Sequence, residues 1–346
     1  MLPLSGAKVS TLTRNWVTVK LTYENIQKGY QPLAHPTNGS GHQPGWLIVG
    51  TAPVAAMLTS YFAFVFRNIA NQIRRMIQKT FSIYADDLSG CRLFIEAGSQ
   101  HIAAWFTDTV TGSLKAFEFF QFDNVHDTII DEVARQVKLQ SRLMSMQMDA
   151  ALIIWENPAC TCVPDAFFKN ELADTYLNIM AGEAEGATMV QENFGRYVLL
   201  SRHPAAYADA IKKHLATGPS THKFSFLLKK YAPANGEKID LVRAIFYPEK
   251  LIIIALKQNE LQLIQSIHYS TAEDVLYLIM KISGDYGIDL STIPVVLSGL
   301  INTGSVLFDT LYKYIEHVEI EKSPENTFNA PGFAEHPAQY FLPFIQ

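Results

Sequence analysis

Arg92–Ala97 (RLFIEA), His101–Asp108 (HIAAWFTD) and Leu114–Phe122 (LKAFEFFQF) are three successive runs of aromatic and branched residues separated by short turns. Each reads as a β-strand, and together they read as a meander. Asn124 follows as a helix cap with Asp127 at the third position, and Val125, Ile129, Val133, Val137 and Met144 recur near helical spacing. Ala151–Trp155 (ALIIW) reads as a buried strand. Pro164 to Met180 reads as a second helix with the apolar stripe Phe168, Leu172, Tyr176 and Ile179.

The same order recurs downstream. Leu241–Tyr247 (LVRAIFY), Leu251–Lys257 (LIIIALK) and Leu261–Tyr269 (LQLIQSIHY) form a second run of three strands. Thr271 caps a helix with Asp274 at the third position, and Val275, Ile279 and Ile282 make its stripe. Ile293–Leu297 is the buried strand, and Thr303 to His317 the closing helix, with Val306, Leu307, Leu311 and Tyr314 on one face. Both copies run β-β-β-α-β-α, with equivalent points roughly 145 residues apart, a separation suited to two domain-sized lobes rather than a solenoid. Arg196–Ser201, Ala205–Leu215 and Phe224–Tyr231 fill out the first lobe, and the polar loop at Ala232–Lys238 divides the halves. The expected organisation is a leader over 1–75, a first half over 76–235, and a second half with a C-terminal tail over 236–346.

The leader differs in kind. No Asp, Glu, Lys or Arg stands between Lys28 and Arg67, and Trp46 to Phe66 is nearly all apolar and long enough to cross a bilayer as a helix. Arg67, Arg74, Arg75 and Lys79 follow, which by the positive-inside rule leaves the downstream body in the cytoplasm of an inner-membrane-anchored protein. Pro53, Gly50, Thr51, Thr59 and Ser60 weaken that run, and a start codon assigned too early, with Met76 the true beginning, is the alternative reading. On that alternative the protein is cytoplasmic and the membrane is no partner.

Composition excludes several chemistries. A net charge of −5 gives no basic face for nucleic acid. Cys91, Cys160 and Cys162 are neither a disulfide framework nor a zinc set. Phe117, Phe119, Phe120 and Phe122 lack interleaved basic residues and read as core rather than a stacking platform. No hydrolase elbow, zinc-protease helix or dinucleotide fingerprint is present.

A duplicated β-β-β-α-β-α unit is the plan of the actin, Hsp70 and sugar-kinase superfamily, a ribonuclease H-like α/β fold in two lobes. More specifically, Ser270–Tyr277 (STAEDVLY), Ile293–Gly299 (IPVVLSG), Leu311–Ile315 (LYKYI) and His336-Pro337 before Tyr340-Phe341 resemble the bacterial domain of unknown function family 3822. The resemblance covers about Phe81 to Ile345 and implies an actin-like ATPase fold without an established activity.

In active members of that superfamily, two hairpin turns clasp phosphates and magnesium through Asp-x-Gly-Ser/Thr sequences. The first turn here is Glu96-Ala97-Gly98-Ser99, with glutamate in place of aspartate. The second, Tyr247-Pro248-Glu249-Lys250, has no glycine, and Pro248 removes an amide donor. At the adenosine position, Ser298-Gly299 keeps one glycine, Leu300 replaces the other, and Ser305 after Gly304 stands where a P-loop lysine would be. Glu96, Gly98, Ser99, Ser298, Gly299 and Gly304 are the candidate nucleotide contacts, with ATP and magnesium the implied ligands. No catalytic or metal-ligating residue is assigned. Since phosphoryl transfer rests on positioning and charge neutralisation, this eroded clasp argues for an interaction or scaffold module with a protein partner. A divergent ATPase or kinase-like enzyme is the alternative.

Overall fold

Alternation along the strands builds two sheets whose inner faces share one core. The computed structural model describes residues 73, 76–122, 129–146, 151–232, 239–248 and 250–346. In the first sheet, β1 (Gln78–Tyr84), β2 (Cys91–Gly98), β3 (His101–Asp108), β4 (Leu114–Gln121), β5 (Ala151–Glu156) and β9 (Ser220–His222) lie in the order β1-β4-β3-β2-β5-β9. The second contains β10 (Leu241–Phe246), β11 (Lys250–Lys257), β12 (Glu260–His268), β13 (Val295–Gly299) and β14 (Val318–Ile320), in the order β12-β11-β10-β13-β14. Set β1 aside and the two orders are the same. In each, a three-stranded antiparallel meander continues into two strands that join in parallel. The two-lobed actin-like plan expected from the repeat is therefore present.

Because side chains alternate across a strand, each sheet has two apolar faces. On β3, Ile102, Ala104 and Phe106 turn toward α1 (Ile130–Gln140) and α3 (Ala205–His214), while Ala103 and Trp105 turn toward the other lobe. On β4, Phe117 and Phe119 face the other lobe and Phe120 faces the helices, so the aromatic run is core on both sides, as expected. In the second lobe Ile252, Ile254 and Leu256 look inward. There Leu251, Ile253 and Ala255 lie under α5 (Ala272–Tyr286) and α6 (Val306–Tyr314).

α5 begins where its sequence dictates. Thr271 Oγ1 accepts from Asp274 N at 3.1 Å, and the Asp274 carboxylate accepts from the amides of Ser270 and Thr271 at 3.0 and 2.9 Å. Two otherwise orphaned donors are thereby satisfied reciprocally. Val275, Ile279 and Ile282 are the buried stripe, and Gly287, at φ 61°, ends the helix in the left-handed region that glycine reaches at low cost.

Three expectations need correction. The segment from Pro164 onward is not one helix: β6 (Cys160–Pro164) and two single 3₁₀ turns precede the nine-residue α2 (Ala173–Ala181). With β7 (Ala187–Phe194) and β8 (Tyr197–Pro204), these elements form an insertion whose sheet runs β6-β8-β7. The helix that closes the first repeat is instead α3, after the insertion. In α6 only Leu311 is buried, while Val306 and Tyr314 of the expected stripe are exposed. The expected cap at Asn124 and Asp127, and the leader with its apolar stretch 46–66, lie outside the described residues. Among the described residues, no helix is long and apolar enough to cross a membrane.

Candidate functional site

The first phosphate turn is built where β2 meets β3. Glu96 points from β2 into the space between the lobes and is fully buried. A carboxylate taken out of water needs compensating partners. Glu96 has three: Lys223 Nζ, His101 Nε2 at 2.8 Å, and Tyr247 Oη, which donates at 2.8 Å. Burial alone would raise its pKa, but the Lys223 charge and the His101 bond outweigh that and bring it down to about 2. Lys223 opens α4 (Lys223–Tyr231) and is itself fully buried, and burial pulls its pKa down against the pull of Glu96. Burial likewise pushes the Tyr247 phenol well up, with the Glu96 charge adding to it, so it stays protonated and donating.

Gly98 is required by its neighbours. A Cβ there would run into the His101 ring and lie 3.0 Å from a Glu156 carboxylate oxygen. Its carbonyl accepts from Tyr207 Oη of α3. Ser99 follows in the bend and is half-buried. The second turn closes with Tyr247 N donating to Lys250 O at 2.8 Å, and its Glu249 lies outside the described residues. Lys250 is no free phosphate ligand, because its ammonium pairs with buried Glu156 at the end of β5. The other oxygen of Glu156 is buried with no hydrogen-bond partner among the described residues.

At the adenosine position, Ser298 is buried and Gly299 takes φ 77°. A Cβ on Gly299 would collide with the Phe246 carbonyl, and Leu300 N donates to that same carbonyl at 2.8 Å. The turn therefore closes against the end of β10, where only glycine fits. Gly304 is exposed, with open space around it, and Ser305 caps α6 by accepting from Phe308 N at 3.1 Å. The structure thus brings Glu96, Gly98 and Gly299 to the Tyr247 neighbourhood. Of the six candidates only Gly299 lines the cavity found there, and Glu96, Gly98, Ser99, Ser298 and Gly304 do not.

Little of that cavity is left. About 10 Å³ remains among Phe81, Phe119, Tyr247, Gly299, Leu300 and Phe344, at the lower limit for one water. The C-terminal segment fills the rest. The Phe344 ring lies 4.9 Å from that of Phe117 and 5.3 Å from Trp105, and Phe341 lies 5.2 Å from Phe117. Lys223 donates to Pro343 O at 2.9 Å and sits 4.6 Å over the Phe344 ring, Lys230 donates to Leu342 O, and Gln339 Nε2 donates to Ile301 O at 3.0 Å. Residues from α4, β3, β4 and the adenosine loop all hold this segment.

The residues present do not fit magnesium ATP. The carboxylate that would order the metal shell is occupied by a lysine, a histidine and a tyrosine, and the cavity beside it has room for one water at most. Among the described residues no group of three or more His, Cys, Asp and Glu could hold a metal ion. Sequence reasoning missed His101, Glu156, Tyr207 and Lys223. The one local signal was a lysine set directly before the mostly apolar stretch Phe224–Leu228 (FSFLL).

The protein-family description "Protein of unknown function (DUF3822)" matches residues 78–318. The fold is similar to a Bacteroides thetaiotaomicron protein with actin-like ATPase fold and unknown function, at TM-score 0.57 and 14% identity, over 67% of this chain and 91% of that one. A chain of the PilM–PilN type IV pilus biogenesis complex matches at TM-score 0.43 and 12% identity, over 67% and 88%. The cytoplasmic domain of EpsL, an inner membrane component of the type II secretion system of Vibrio cholerae, matches at 0.39 and 13%, over 68% and 90%. No curated protein matches by sequence. With 241 consecutive positions under the family description and this two-lobed architecture, the chain belongs to the DUF3822 family of proteins of unknown function.

Proposed function

We propose that this chain is a non-hydrolysing actin-like module that acts through contacts with a protein partner. One observation carries the reading: the space between the lobes is filled by Phe341 and Phe344 of the chain itself, with Glu96 held by Lys223, His101 and Tyr247. Phosphoryl transfer depends on a positioned triphosphate and its metal, and this cleft offers neither room nor a free carboxylate. The division into halves over 76–235 and 236–346 belongs to the same reading, with the insertion between β5 and α3 as the part that departs from the repeat. A cytoplasmic setting is supported by three free cysteines, two of which burial holds protonated.

Calorimetry with magnesium ATP at millimolar concentration, paired with a phosphate-release assay, tests the proposal. No binding heat and no turnover are expected. Magnesium-dependent turnover that disappears in Glu96→Gln and Ser99→Ala would overturn it.

A further inference from the structure

The stripe that the sequence offers as the core side of a helix divides: Phe168 and Tyr176 pack half-buried against the insertion's core, while Leu172 and Ile179 face outward. α2 seats Ala173 and Leu177 on Val163, Val198 and Leu200 of the insertion sheet. The positions one register away, Leu172, Tyr176 and Ile179, form a second apolar line at i, i+4 and i+7. Ile179 is 75% exposed and Leu172 38%. Phe167, 74% exposed, extends the line, because its carbonyl accepts from Tyr176 Oη at 2.8 Å and holds it beside the helix. Single exposed apolar residues are ordinary, but Phe167, Leu172 and Ile179, exposed on and just before one helix with half-buried Tyr176 among them, mark a docking face.

Charge indicates what it docks. Asp165, Glu171, Asp174, Glu183 and Glu185 are all exposed around this line, and Lys169 is the one basic residue between positions 161 and 190. We propose that the Phe167–Leu172–Tyr176–Ile179 face binds the apolar side of a basic amphipathic helix from a partner protein. Apolar anchors at i, i+3 or i+4, and i+7 supply the contact area, and flanking lysines or arginines meet the acidic rim. The inference deepens the interaction-module reading by naming the chemistry of the partner. The nucleotide measurement and the one below address different parts of the molecule, so each fails separately.

The probe is a labelled synthetic helix about five turns long with leucine on one face and lysine on the other. The same helix with glutamate replacing lysine is the control, and both are titrated with the full chain by fluorescence anisotropy. The lysine peptide should bind and the glutamate peptide should not. Ile179→Asp should weaken binding roughly tenfold or more, and Glu183→Lys with Glu185→Lys should weaken it and flatten its salt dependence. Ile179→Asp separates docking from unspecific attraction. It adds negative charge, so a cationic peptide held only by net charge would bind it more tightly. An unchanged melting temperature for this exposed substitution excludes unfolding as the cause. Equal binding of the two peptides, or indifference to Ile179→Asp, overturns the proposal. So does an Ile179-dependent dimer in light scattering, which would assign the face to a second copy, or Ile179-dependent binding to phosphatidylglycerol vesicles, which would assign it to a membrane.

Discussion

Among single residues, Glu96 decides most about the space between the lobes. Its folded pKa of about 2 lies below its ordinary value of 4.5, so the unfolded chain binds the extra proton first. The stability it contributes is therefore complete above pH 4.5 and lost as the pH falls toward 2. That loss should amount to about 3 kcal/mol in urea titrations across this range, and Glu96→Gln should be less stable at neutral pH with a shallower acid limb. An identical acid limb in the variant would refute the assignment. The site was only partly legible in the sequence. Gly98 and Gly299 were visible because each sits in a turn with no room for a Cβ, against the His101 ring and the Phe246 backbone respectively. The sequence offers Glu96 only as a candidate nucleotide contact, because its lysine lies 127 positions away. No local pattern encodes a contact at that separation.

Among the elements, the C-terminal segment has the largest effect on the cleft. Phe344 touches the rings of Trp105, Phe117, Phe119 and Tyr247, which belong to both lobes. Phe344→Ala should cost about 3–5 kcal/mol in urea denaturation, the range for removing a buried aromatic side chain and leaving a cavity. A cost under about 1 kcal/mol would mean that the segment does not close the core. Elements with a clean period were legible: β3 spans His101–Asp108 as read, and the Thr271 box starts α5. The insertion was not. Phe168, Leu172, Tyr176 and Ile179 carry helical spacing as strong as any core stripe, yet α2 meets its sheet mainly through Ala173 and Leu177, with Phe168 and Tyr176 only half-buried beside them. Periodicity identifies a helix face without identifying what covers it.

At the scale of the whole molecule, the two lobes share a single core. Ile252, Ile254 and Leu256 of the second sheet lie in one cluster with Trp105, Phe117 and Phe119 of the first. The lobes should consequently unfold together: amides of β3 and β11 should exchange through openings of equal free energy. A separate, lower-energy opening of β11 would contradict this. The repeat was legible in the sequence because each lobe repeats local patterns, whereas the closure between lobes depends on residues 331–345, whose short 3₁₀ turns carry no repeat. That position, after the last described strand, bears on synthesis. A ribosome finishes every strand of both sheets before it makes Phe341 and Phe344, so the growing polypeptide carries an open aromatic gap until the closing piece emerges. Pausing of translation just upstream of that piece would leave both sheets made and their aromatic gap exposed to aggregation and in need of chaperone cover.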